Sequence, residues 1–235
     1  LALKRKKQRK SPGLAGHNLI ARNNAQSPIS EQYRTIRSNI LFSSVDQSFR
    51  SLLVTSASPE EGKSTTVSNL AVIFANKGKK VLLVDADLRK PTIHYTFGLP
   101  NTSGLTNVLT KQSPLQETVN RTEVDSLYVL TSGPIPPNPA ELLGSFAMKE
   151  FLKKTLSEYD FVMFDTPPVL AVTDAQVLAN QCDGTIFVVN SGKTDIDSAQ
   201  KAKELLQNAK AKLLGAVLNN RKRNDLNYYY YYGSI

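Results

Sequence analysis

Ser51-Leu-Leu-Val-Thr-Ser-Ala57-Ser58-Pro59-Glu60-Glu61-Gly62-Lys63-Ser64-Thr65 is the stretch on which the fold turns. It opens with an apolar run, Ser51 to Thr55, short enough to be a buried strand. A loop follows, and then a helix predicted to start near Lys63 and end at Gly78. Gly62, Lys63 and Ser64 match the pattern G-x-x-x-x-G-K-[ST], with Ala57 in place of the first glycine. Strand, loop and helix in that order are the context the pattern requires. Backbone N–H groups of such a loop, and the N-terminus of its helix, face phosphate oxygens. Lys63 then reaches the β- and γ-phosphates of a nucleotide, and the Ser64 hydroxyl ligates Mg²⁺. Ser58, Glu60, Glu61, Gly62, Lys63, Ser64 and Thr65 are the expected nucleotide-binding residues, with ATP and Mg²⁺ as cofactors. A Gly-Lys-Ser at a helix start also arises by chance, so the loop has to be read with its neighbours.

Two more apolar strands end in aspartate. Lys80 to Val84 is predicted to be a strand running into Asp85-Ala-Asp87-Leu-Arg89-Lys-Pro. In extended geometry Asp85 and Asp87 point the same way. Close carboxylates repel unless a cation or proton lies beside them, and Mg²⁺ supplies such a cation. Phe161 to Phe164 is a third strand, running into Asp165-Thr-Pro-Pro, where Asp165 is placed to hold a metal-bound water. Each aspartate alone could be a turn or a helix cap. Three such motifs at successive strand ends are harder to obtain by chance, and ligands of open α/β sheets gather at strand carboxyl ends.

Around these, Leu127–Thr131, Thr185–Val189 and Leu213–Leu218 read as strands. Helices are predicted from Ser30, as N-cap, to about Ser43, from Asn138-Pro139 to about Leu156, and over Asp195–Ala209. The strands are apolar throughout rather than alternating. That implies an α/β fold of the P-loop NTPase type, with a mostly parallel sheet and helices on both faces. The 235 residues divide into a basic flexible arm over 1–28, a domain over 29–220 and a flexible tail over 221–235. The tail carries Tyr228, Tyr229, Tyr230, Tyr231 and Tyr232 in succession. The single cysteine, Cys182, excludes an internal disulfide framework and fits a reducing cytosol and a buried thiol. No apolar run is long enough to span a bilayer. The net charge of +9 lies largely toward the ends. It would suit an anionic lipid surface, nucleic acid or an acidic partner.

The loop, the Asp-x-Asp strand end and the Asp-x-Pro-Pro strand end together resemble the Walker A, A′ and B motifs of bacterial protein-tyrosine kinases. The likeness runs over residues 27–235. It is greatest to the Firmicute form, as in Bacillus polysaccharide operons, a cytosolic kinase separate from its transmembrane activator. The resemblance implies that Lys63 binds phosphates, that Ser64, Asp87 and Asp165 hold Mg²⁺ directly or through water, and that Asp85 is the base or orienting group for a tyrosine hydroxyl. It makes Asp85, Lys63 and Asp87 the catalytic set. Asn219 resembles the adenine-contacting asparagine of related ATPases. Glu31, Arg34 and Arg37 match the family's E-x-x-R-x-x-R self-association motif, implying a homo-oligomeric ring. Tyr228 to Tyr232 match its autophosphorylated tail. The implied partners are the activator's cytoplasmic tail, protein substrates such as sugar-nucleotide enzymes, and a phosphotyrosine phosphatase, with no nucleic-acid role. The implied setting is cytoplasmic, at the inner face of the plasma membrane, with exopolysaccharide synthesis as the regulated process. Two positions depart from the pattern: Ala57, and Glu60 where the family often has glycine. The rival class is the partitioning and septum-positioning ATPases, which carry a signature lysine where this chain has Ser58.

Overall fold

A computed structural model describes residues 19–43 and 49–221. Its strands are β1 (Ser51–Ser56), β2 (Val81–Asp85), β3 (Asn120–Arg121), β4 (Leu127–Leu130), β5 (Phe161–Asp165), β6 (Gly184–Asn190) and β7 (Leu213–Asn219). They form one sheet in the order β3-β4-β2-β5-β1-β6-β7. Every neighbouring pair is parallel except β3 with β4. The short β3 has no apolar run, which is why periodicity did not reveal it. β1, β2 and β5 are buried at every position, as strands covered on both faces must be.

Two helical layers do the covering. On one face lie α1 (Ile20–Asn23), α2 (Pro28–Phe42) and α3 (Lys63–Ala75). There Leu70, Ile73 and Phe74 of α3 meet Leu83, Met163 and Val188 of the sheet. On the other lie α7 (Pro139–Gly144), α8 (Phe146–Glu158), α9 (Asp174–Ala179) and α10 (Ile196–Asn208). They bring Leu143, Phe151, Leu178 and Leu206 onto Leu82, Val84, Phe164 and Phe187. The alternation of Leu82, Leu83 and Val84 between the layers follows from the two-residue strand period. Each fully buried Leu or Phe contributes about 1.5–3 kcal/mol. Cys182 is buried, and burial pushes its thiol pKa up.

Several expectations need correcting. α2 is capped by Ser27, whose hydroxyl accepts the Ser30 N–H at 3.0 Å, with Pro28 in the first turn. Ser30 is inside the helix, and its hydroxyl donates to the Asn24 carbonyl at 2.7 Å. The arm expected to run to residue 28 is therefore too long. Leu19 and Ala21 are buried in the core, and the Ala21 N–H donates to Asn69 Oδ1 at 2.9 Å. The helix expected from Asn138 to Leu156 is two, broken at Ser145, which is extended (φ −71°, ψ 163°) and caps α8 through the Met148 N–H. Five short helices, α1, α4 (Ile93–Phe97), α5 (Leu105–Leu109), α6 (Leu115–Thr118) and α9, also went unread, being too brief to show a 3.6-residue period. Residues 1–18 of the arm and the tail from Lys222 lie outside the described residues.

Candidate active site

β5 sits between β2 and β1, so the three motif strands end side by side. Asp165 is in register with Asp85 on one side and Val54 on the other. Above β1 the loop turns sharply to start α3. Gly62 has φ +94°, and a Cβ there would overlap the Asn219 side-chain amide. Glu60, where the family pattern favours glycine, also takes a left-handed backbone (φ +61°). Such a conformation costs a non-glycine residue about 1–2 kcal/mol. The Glu60 carboxylate meets Lys193 at 3.3 Å in an exposed pair, worth at most about 1 kcal/mol. Glu60→Gly is therefore expected to raise the thermal midpoint slightly, by an amount corresponding to about 0.5–1 kcal/mol; a fall in a melting experiment would contradict the strain.

Lys63 opens α3 and is only 8% exposed. Its ammonium lies 3.2 Å from Asp87 Oδ2, 3.2 Å from Ser64 Oγ and 3.6 Å from Asp165 Oδ1. One cation thus ties the loop to both acidic motifs. Burial works against the Lys63 charge, but Asp165 and Asp87 outweigh it and hold its pKa above the usual lysine value. Asp85 is fully buried. Its Oδ1 accepts the Asp87 N–H at 3.2 Å, and its Oδ2 accepts the N–H groups of Thr92 at 3.1 Å and Ile93 at 3.0 Å. Burial, reinforced by the neighbouring Asp165 charge, pushes the Asp85 carboxyl well above the usual carboxylate range, against the Ile93 N–H. Burial likewise raises Asp165, with Lys63 opposing.

Among the described residues neither buried Asp165 oxygen has a hydrogen-bond partner at ordinary distance, the Lys63 ammonium standing 3.6 Å from Oδ1. A buried, under-satisfied carboxylate beside Asp87 and the Ser64 hydroxyl is a set of hard oxygen donors that fits Mg²⁺. This ion is usually held by one or two carboxylates together with phosphates and water. Among the described residues no group of three or more His, Cys, Asp or Glu is gathered for a metal.

The raised carboxyl pKa values have a signed consequence. A carboxyl whose folded pKa exceeds its unfolded value stabilises the fold below the unfolded pKa, near 3.8 here, and loses that contribution as pH rises through the folded value. The contribution of Asp85 and Asp165 to stability without nucleotide should therefore grow as pH falls through their raised folded values toward the unfolded one. Asp85→Asn should flatten that part of the slope in thermal melts. An identical pH slope in wild type and variant would remove the assignment.

The rest of the expected set is spread around this centre. Glu61 is buried, and its carboxylate serves the loop itself, accepting the Ser58 N–H at 3.1 Å and the Thr194 hydroxyl at 2.6 Å. The Ser58 amide is thereby occupied by protein. Thr65 is the second residue of α3. Asn219 ends β7 and donates its amide to the Glu61 carbonyl at 3.0 Å, so it abuts the phosphate loop. Glu31 and Arg34 pair within α2, and Arg34 also reaches the Ala25 carbonyl at 2.6 Å. Arg37 Nε and Nη1 are buried without a hydrogen-bond partner among the described residues. α2 packs on α1 and α3, so these three residues do not join the cluster around Lys63. Tyr228 to Tyr232 lie outside the described residues.

Sequence reading missed Arg89 with Asp174, and Thr194. Arg89 makes a two-pronged bridge to the fully buried Asp174 at the start of α9, at 2.9 and 3.0 Å. It fastens the Asp87 loop to the segment following Asp165. The helix opening at Asp174 was not read from the sequence, and nothing local named Arg89 as its partner.

Both the sequence and the fold have known relatives. A family described as AAA domain matches residues 60–214. The chain is 57% identical to tyrosine-protein kinase YwqD of Bacillus subtilis, covering 92% of each. It is 44% identical to the putative tyrosine-protein kinase CapB of Staphylococcus aureus, over 92% of this chain and 95% of that one. Among solved structures, the chimerical protein CapA2B2 superposes with a TM-score of 0.85 at 48% identity, over 87% of this chain and 90% of the other.

Proposed function

The chain belongs to the bacterial tyrosine-protein kinases, a P-loop nucleotide-binding family of transferases, and from that premise we propose that it phosphorylates its own tyrosine tail between molecules as well as other proteins. The observation that carries the site assignment is Lys63, held at once by Asp87 and Asp165 beneath the phosphate loop. In this reading Lys63 positions the β- and γ-phosphates of ATP. Asp87, Asp165 and Ser64 hold Mg²⁺, which when bound neutralises phosphate charge. Asp85 accepts the proton of the incoming tyrosine hydroxyl. Burial and the Asp165 charge raise its pKa, which makes it a stronger proton acceptor than a free carboxylate.

Tyr228 to Tyr232 are the proposed acceptors in the chain itself. Asn219 lies nine residues before Tyr228, an extended reach of about 30 Å. That length allows either the chain's own site or a neighbour's. Self-association through Glu31, Arg34 and Arg37 favours the neighbour, and Arg37 Nε and Nη1, buried without a hydrogen-bond partner among the described residues, support a carboxylate arriving from a second copy. Each added phosphate brings about −1.5 to −2 charge, which would repel the aspartates of the receiving site and release the tail. A transmembrane activator would recruit the kinase to the membrane. Sugar-nucleotide enzymes of exopolysaccharide synthesis would be its substrates, and a phosphotyrosine phosphatase would reverse the marks. No helix among the described residues is long and apolar enough to cross a membrane.

The test mixes full-length Lys63→Met chain with active chain lacking residues 228–232. Phosphotyrosine on the inactive full-length chain is the expected result. Its absence, with normal labelling of wild type alone, would mean transfer within one chain. Phosphate appearing only in solution would instead favour the ATPase switch.

A further inference from the structure

We infer that Thr194 is a positioning residue for the nucleotide, acting through Glu61 to hold the phosphate loop in its binding shape. The loop contains two left-handed residues, Glu60 and Gly62, and belongs to no helix or strand between Ala57 and Gly62. Something outside it has to keep its amides facing inward. The turn between β6 and α10 provides the contact. There the Asn190 N–H donates to Thr194 Oγ1 at 2.9 Å, and the Thr194 hydroxyl donates onward to Glu61 Oε1 at 2.6 Å. The other Glu61 oxygen takes the Ser58 N–H across the loop at 3.1 Å. Glu61 is 1% exposed, so its carboxylate cannot exchange these donors for water without moving. Asn190 Nδ2 adds a long contact to the Glu60 carbonyl at 3.4 Å.

Thr194 is therefore a relay with a fixed sense. It accepts from the backbone of its own turn, and its single proton goes to Glu61. Removing the hydroxyl leaves a buried carboxylate short of a donor, and the cheapest relief is for Glu61 to rotate outward. That displaces the backbone next to Gly62 and Lys63. The turn itself does not depend on the hydroxyl: Lys193 N–H and Thr194 N–H both donate to the Asn190 carbonyl, at 3.1 and 3.0 Å. α10 keeps its own cap, Asp195 accepting the Ser198 N–H at 2.8 Å. Loss of the hydroxyl also leaves the Asn190 N–H without its acceptor, so the fold should lose a little stability while keeping its turn and helix, and the nucleotide should feel the larger effect.

This inference rests on the nucleotide-binding reading of the loop, and the experiment separates the two. Affinity for a fluorescent ADP analogue with Mg²⁺, the KM for ATP, and the thermal midpoint without nucleotide are measured for wild type, Thr194→Val and Thr194→Ser. Loss of a hydrogen bond to a buried charged group should weaken binding by roughly tenfold in Thr194→Val. KM for ATP should rise with it, kcat at saturating ATP should change little, and the midpoint should fall only modestly, with the chain still fully folded at the assay temperature. Thr194→Ser, which restores the hydroxyl, should stay within about twofold of wild type. Unchanged affinity in Thr194→Val would overturn the inference. So would a Thr194→Ser as weak as Thr194→Val, or a drop in the nucleotide-free midpoint that accounts for the lost affinity. A wild-type chain that binds no adenine nucleotide would instead overturn the nucleotide-binding reading.

Discussion

Lys63→Met should lower phosphoryl transfer by about 10³-fold or more, because transfer of this kind is carried by fixed charges around the phosphates rather than by covalent chemistry. The structure adds a second effect. Lys63 is the cation shared by Asp87 and Asp165, at 3.2 and 3.6 Å. Methionine has similar length and no charge, so Asp85, Asp87 and Asp165 are left buried together. Removing one partner of a buried ion pair costs about 3–5 kcal/mol, although protonation of the carboxyls can relieve part of it. The variant should therefore be less stable than wild type at neutral pH and recover on mild acidification or on adding Mg²⁺. Anti-phosphotyrosine blots after incubation with Mg·ATP read the first effect, and thermal melts read the second. Wild-type autophosphorylation in Lys63→Met would remove the site assignment. Equal melting at neutral pH would show that the lysine does not offset the carboxylate charge.

Asp85→Asn should lower transfer by about 10²–10⁴-fold, the usual worth of a general base. The geometry makes a sharper point. Both Asp85 oxygens accept backbone N–H groups, from Asp87 and from the residues opening α4. An asparagine can satisfy only one side of that arrangement, since its NH₂ would face other donors. Part of the loss could then come from a displaced Asp87 loop. Nucleotide affinity separates the two contributions. A base acts on the tyrosine proton, so its loss leaves Mg·ATP binding within a few-fold, whereas displacement of Asp87 weakens it. Normal kcat in Asp85→Asn would exclude the base.

How far the sequence could be read depends on the range of the interactions. Each acidic motif is a contiguous run in which an apolar strand is followed directly by its aspartate. Ser51 to Ser64 likewise contains its own strand, turn and helix start. Patterns of this kind are local, since burial on both faces demands apolar runs and the phosphate loop demands glycine where the backbone turns left-handed. They were enough to predict the mostly parallel sheet, the helices on both faces and the residues around Lys63. Helix ends were less legible. Ser27 and Ser30 are both serines near Pro28, and it is Pro28 in the first turn, with the Ser30 N–H bonded to Ser27, that makes Ser27 the cap.

What tertiary structure alone decided is adjacency. Nothing in the order β1, β2, β5 along the chain says that β5 lies between the other two. Yet that insertion places Asp165 beside Asp85 and within reach of Lys63. Thr194 meets Glu61 from 133 residues away, and Asn219 meets the same residue's carbonyl from 158 away. Arg89 finds Asp174 across 85. Strand pairing is chosen by the summed burial of both sheet faces, a property of the whole chain that no single segment carries. The side chains holding the phosphate loop in shape become visible only once that choice has been made.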